Sequence, residues 1–211
     1  MKRIVTSIVC LCLASLAQAQ YASSMRGLLR GLIRISENQC PMLEARLKAN
    51  PADPLFAKTK IPDDTYHYMC RCMPERTQAL IDRLPEEELS KQVEGQEELL
   101  AVFKPAVIDT CAAELMRTIY GEHCEANFSA LVGAYRQRAN EKLDVPGYCS
   151  CIRVVVDNMP DSEAADLGLA AADYIPAAAA ANKNGTPPPD PPPVWKRFTA
   201  ANERCGVKMP N

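Results

Sequence analysis

Along residues 25–35, Met25, Leu28, Leu29, Leu32, Ile33 and Ile35 fall on one arc at about 100° per residue, and Arg26, Arg30 and Arg34 fall on the opposite arc. This pattern predicts an amphipathic helix. Pro41 predicts a kink or break, with a second short helix over residues 42–48. Pro51, Pro54 and Pro62 predict a loop over residues 50–64. Helices are expected over residues 74–84 and from Pro85 onward, where Glu86, Glu87 and Glu88 complement the positive end of the helix dipole. Over residues 105–120, Ile108, Cys111, Leu115 and Ile119 recur at 3-4-4 spacing, which turns Cys111 toward the core. Gly121 is expected to end that helix, and another is expected over residues 128–138.

Residues 151–156 are ambiguous, because Ile152, Val154, Val155 and Val156 favour a strand. An internal repeat decides for helix. Cys40, Cys70, Cys72 and Cys111 spell C…CxC…C, and Cys124, Cys149, Cys151 and Cys205 spell it again. After each CxC comes an apolar run, an Asp and a Pro followed by acids, as in Asp82-Arg83-Leu84-Pro85-Glu86 and Asp157-Asn158-Met159-Pro160-Asp161. Similar runs follow the first and fifth cysteines, Arg46-Leu47-Lys48-Ala49-Asn50 and Arg136-Gln137-Arg138-Ala139-Asn140. Shared order across these landmarks indicates a duplication. Residues 74–84 show no strand preference, so their counterpart is read as helix.

Residues 176–193 differ in composition, with Ala177 to Ala181, Asn184-Gly185 and six prolines around Asp190 in residues 187–193. They are read as a low-complexity spacer, extended where the prolines cluster. Residues 194–204 return as an amphipathic helix. The fold expectation is all-α: two related disulfide-stapled helical units with a Pro/Ala-rich insertion before the last helix. The first unit spans residues 20–121 and the second 122–211, with the spacer at 176–193.

Composition adds a compartment. Lys2 and Arg3, an apolar stretch to Leu16, and Ala17-Gln18-Ala19 read as a cleavable signal peptide over residues 1–19. No transmembrane segment is read elsewhere. Cleavage at Gln20 takes the formal charge from −2 to −4 and the cysteine count from 10 to eight. An even set of cysteines in an exported chain is a disulfide framework. Within a helix, residues two apart point in nearly opposite directions, so each CxC sulfur reaches a different neighbour. Cys40 and Cys111 serve the first CxC, and Cys124 and Cys205 serve the second; which sulfur takes which partner stays open.

Candidate chemistry is sparse. The two histidines, His67 and His123, lack zinc-motif spacing, and the sequence assigns no catalytic residue, cofactor or metal. The carboxylates at 86–88 and 94–98 read as solvated helix starts. Net acidity argues against nucleic acid as a partner. Asn127-Phe128-Ser129 and Asn184-Gly185-Thr186 match the glycosylation pattern. Arg26, Arg30 and Arg34 form a stripe that could meet an acidic protein or a membrane surface, and Trp195 with Phe198 could anchor an interface. These five are the candidate interface residues. The functional expectation is a secreted or periplasmic protein that acts by binding a protein, in an envelope interaction or as an inhibitor. The rival classes are a cell-envelope hydrolase using carboxylates and a structural envelope component.

Overall fold

A computed structural model describes residues 23–49, 59–132 and 143–207. The expected signal peptide and most of the arginine-containing repeat runs lie outside the described residues.

The chain folds as helices throughout its described parts. Ser24 opens α1 (Met25–Ala49), its Oγ accepting the Gly27 N–H at 3.2 Å. An isolated antiparallel bridge pairs Ser24 with Gln92 and ties this helix start to the middle of the first unit. On the apolar arc of α1, Met25 and Leu29 are buried, and Leu28, Leu32 and Ile33 pack partly buried against the same cluster. The expected break at Pro41 is corrected: α1 continues through it. Pro41 removes one hydrogen bond from the ladder, but Cys40 beside it is covalently held to Cys70, which keeps this turn in place.

The expected loop over 50–64 is also corrected at its end. Pro62 lies in the first turn of α2 (Ile61–His67), where a missing N–H costs nothing, and Asp63 and Asp64 follow it in that turn. A π turn, Tyr68–Cys72, joins α2 to α3 (Met73–Arg83) and closes with the Met73 N–H donating to the Tyr68 carbonyl. Pro74 explains the widening, because its ring would clash with the carbonyl four residues earlier in a regular helix. Pro85 then caps the short α4 (Glu86–Ser90).

The next helix runs further than its spacing implied. It comprises α5 (Gln96–Phe103), a π turn Lys104–Ile108 containing Pro105, α6 (Asp109–Arg117) and a π turn Thr118–Glu122. The helix ends at Glu122, one residue beyond Gly121, but not through a glycine cap: no positive φ occurs at Gly121, and the His123 N–H reaches the Thr118 carbonyl at 2.8 Å. Gly121 instead faces the Arg153 side chain, 3.5 Å from where its Cβ would sit. Directly after it come α7 (Cys124–Val132), α8 (Val145–Asp157), α9 (Asp161–Lys183) and α10 (Pro193–Arg204). The valine-rich segment after the second CxC is helical, as the repeat indicated.

The spacer reading of residues 176–193 needs shortening. Residues 176–183 belong to α9, and Pro193 opens α10. Alanine is the best helix former, so the Ala177–181 run that looks simple in composition is locally helical. Only residues 184–192 connect the helices, and 184–190 are exposed.

Four disulfides are present, with the same connectivity in both halves. Cys40–Cys70 and Cys72–Cys111 staple the first, Cys124–Cys149 and Cys151–Cys205 the second. In each case the first cysteine takes the first CxC sulfur, and the second CxC sulfur reaches forward. Both CxC pairs send their sulfurs to opposite neighbours, one from a π turn and one from a regular helix.

Two apolar clusters form the interior. Met25, Leu29, Leu80, Ile81, Leu89, Leu99, Phe103 and Val107 build the first. Ala113, Met116, Ile119, Tyr120, Ile152, Val156, Leu167 and Phe198 belong to the second. The long helix over 96–122 contributes to both: Val107 faces the first cluster, while Ala113 and Met116 face the second. The packing repeats with it. In the first half, α1 packs on the CxC-bearing turn, on α3 that continues it and on α4, which follows Pro85. In the second, α6 packs on the CxC-bearing α8 and on α9, which follows Pro160. The helix that closes the first half therefore opens the second.

Candidate functional site

The arginine stripe of α1 is divided by the fold. Arg26 forms an ion pair with Glu86 at the start of α4. Arg30 and Arg34 are exposed. About two turns beyond Arg34 along α1, Met42 is 58 % exposed. The exposed surface of α1 thus carries basic residues and an apolar one.

Trp195 and Phe198 are separated in the same way. Phe198 is 2 % exposed, its ring edge-on to Tyr120 with centroids 4.9 Å apart. Trp195 is half-buried, 5.7 Å from the Tyr174 ring and 6.2 Å from that of Phe198. Docking of α10 uses both rings. Tyr148 adds a hydrogen bond, its hydroxyl donating to Asn202 Oδ1 at 2.7 Å, and Arg197 reaches Glu163 Oε1 at 2.6 Å.

Within the acidic runs, Glu86 and Glu98 are engaged. Glu86 accepts from Arg26 and from the Ser90 hydroxyl. Lys91 sits 2.7 Å from Glu98 and, together with the Glu94 N–H, holds the Glu98 carboxyl below its ordinary range.

Both histidines meet a carboxylate, an arrangement the sequence did not suggest. His67 Nε2 lies 3.5 Å from Glu114 Oε1, and Arg76 Nη2 lies 3.8 Å from Glu114 Oε2. Glu114, Arg76, Glu75, Ala79 and Cys72 line a shallow hollow of about 290 Å³ between α3 and α6. His123 Nδ1 lies 2.7 Å from Asp64 Oδ1, joining the end of the Thr118–Glu122 turn to α2. Asp64 is 5 % exposed, and its Oδ2 is buried without a hydrogen-bond partner. Burial pushes its carboxyl above the ordinary range, against the opposing pull of His123. This acid faces the junction between helices. Asn127 completes the junction: its Oδ1 accepts the Lys60 N–H at 2.7 Å, and its Nδ2 donates to the Ile119 carbonyl at 3.4 Å. Being fully buried and using both ends of its amide, Asn127 serves packing, whereas Asn184 in the other glycosylation-like triplet is exposed.

Lys104 and Asp109 form a second, partly buried polar contact. Lys104 Nζ donates to Asp109 Oδ1 at 2.7 Å. Burial, aided by the Asp109 charge, pushes the Tyr68 phenol up to about 12, so it stays neutral at physiological pH.

Sequence reasoning missed Asp64, Glu114 and Tyr68 as polar partners. Asp64 fell inside the expected loop, and nothing local to Glu114 or Tyr68 signals a partner roughly forty residues away. Among the described residues, no helix is long and apolar enough to cross a membrane. Compared with known proteins, the chain finds no matching family model, no matching curated protein and no matching solved structure.

Proposed function

We propose that this is an exported protein that acts by binding a protein partner, in an envelope interaction or as an inhibitor-type protein. The observation that carries this reading is the placement of the four disulfides: each joins different elements, and together they tie α1, the first CxC turn, α6, α7, α8 and the end of α10. Such a framework suits an oxidising compartment, where disulfides persist. It also fixes the surface before encounter, which reduces the ordering cost of association. The contact region in this reading is the exposed surface of α1, with Arg30 and Arg34 offering charge-assisted contacts and Met42 an apolar one.

Affinity capture from the native extract with the oxidised mature protein tests the proposal. The expected result is one stoichiometric protein partner, lost when Arg30→Glu and Arg34→Glu are combined and weakened by salt. Turnover of an envelope polymer without a retained protein would establish the hydrolase class instead.

A further inference from the structure

We propose that the disulfides form two tiers, and that Cys40–Cys70 and Cys151–Cys205 are sites of thiol–disulfide exchange with an external dithiol. All four sulfurs of Cys72–Cys111 and Cys124–Cys149 belong to buried residues. All four residues of the other two pairs keep solvent-accessible surface. Access is the first requirement for attack by a thiolate.

Charge adds to access. Exposed Arg204 adjoins Cys205, and exposed Arg71 stands between Cys70 and Cys72, of which Cys72 is buried and Cys70 keeps accessible surface; a neighbouring guanidinium stabilises both an approaching and a departing thiolate. At the sealed Cys72, Glu114 Oε2 lies 3.6 Å from the sulfur. This sulfur carries no hydrogen to donate, so the carboxylate there repels an incoming anion. The hollow beside Cys72 carries Glu75, Glu114 and Arg76 on its walls, and the Arg76 guanidinium lies 3.8 Å from Glu114.

The accessible pairs are also the ties to the first and last described helices, α1 and α10. Exchange proceeds in two balanced steps. One thiolate of the dithiol attacks a cysteine sulfur, the S–S bond breaks, and the departing thiolate takes a proton. The second thiol of the reagent, as its thiolate, then displaces the mixed disulfide, leaving two protein thiols and one reagent disulfide. Once Cys151–Cys205 opens, α10 is held by non-covalent contacts: Trp195, Phe198 and Ala201 in the second cluster, the Tyr148–Asn202 hydrogen bond and the Arg197–Glu163 ion pair.

The test treats the native, fully oxidised protein with dithiothreitol, quenches by alkylation at intervals and maps modified cysteines by mass spectrometry. The expected intermediate is alkylated at Cys40, Cys70, Cys151 and Cys205, forms at least about ten-fold faster than modification of the other four, and keeps its helical circular dichroism. Arg71→Glu should slow opening of Cys40–Cys70 several-fold and leave Cys151–Cys205 unchanged. In denaturant the two tiers should open together, which separates the effect of the fold from that of local sequence. All eight cysteines reacting in one native step, or Cys72–Cys111 or Cys124–Cys149 opening first, would overturn the proposal.

Discussion

At the scale of single residues, the junction around Asp64 and Asn127 decides more than its size suggests. Asn127 satisfies two backbone groups from segments far apart in sequence, at Lys60 and Ile119. Asn127→Ala would leave the buried Ile119 carbonyl and the part-buried Lys60 N–H without this partner, and a loss of about 1–3 kcal/mol is expected in chemical denaturation. Asp64 gives a pH signature. Its carboxyl is raised from 3.8, so the folded state holds that proton more tightly than the unfolded chain does. Its contribution to stability is complete below 3.8 and is lost as pH rises through the folded value. Urea midpoints of the parent and of Asp64→Asn, compared from about pH 3 to about pH 7, should show the parent losing ground to the variant as pH rises. A constant difference would refute this assignment.

At the scale of elements, helix ends are set by glycine geometry where the fold requires it. Gly206 has φ of +98°, and the Val207 N–H donates to the Asn202 carbonyl while the Gly206 N–H donates to Glu203, a Schellman closure of α10. Gly185 has φ of +67°, and the Thr186 N–H returns to Ala181 in the same manner at the end of α9. A Cβ at Gly206 would stand 3.1 Å from Leu143 Cδ1, whereas one at Gly185 would meet open space. Gly185→Ala should therefore cost about 1 kcal/mol from backbone strain, and Gly206→Ala more, which thermal melts of the two variants can compare. The proline link between these helices carries no comparable load. Pro188 and Pro189 are exposed, and replacing both with Ala should change stability by less than about 1 kcal/mol.

At the scale of the whole molecule, the long helix over 96–122 joins the two halves. It carries Val107 into one core and Ala113 and Met116 into the other, so neither half can unfold without disturbing the other's packing. Calorimetry of the oxidised protein should show one transition, with van't Hoff and calorimetric enthalpies equal; two resolved transitions would contradict the shared core. The disulfide that closes the largest span, Cys151–Cys205 at a separation of 54, should contribute about 4 kcal/mol through restriction of the unfolded chain. Replacing both cysteines with Ser should lower the denaturation midpoint accordingly while leaving the other three bonds formed.

The repeat in the sequence determined the all-α framework, because cysteine order and the Pro-acid landmarks are local marks that survive in a linear reading. It correctly overruled the strand preference of Val154, Val155 and Val156, whose helix is fixed by packing of Ile152 and Val156 in the second core. Helical periodicity also placed Cys111 inside and showed that the two CxC sulfurs diverge. Tertiary structure alone decided which sulfur pairs with which, since both choices satisfy the same helical geometry and differ only in where neighbouring helices lie. It decided that Pro41 does not break α1, because a helix held on both sides tolerates one missing hydrogen bond, and that the helix end beside Gly121 is made without a positive-φ glycine. It decided, too, that Phe198 is core and Arg26 is paired, while Arg30 and Arg34 stay exposed. Those assignments depend on Tyr120 and Glu86, each more than fifty residues away, and the local pattern of hydrophobic and polar positions holds no record of such distant partners.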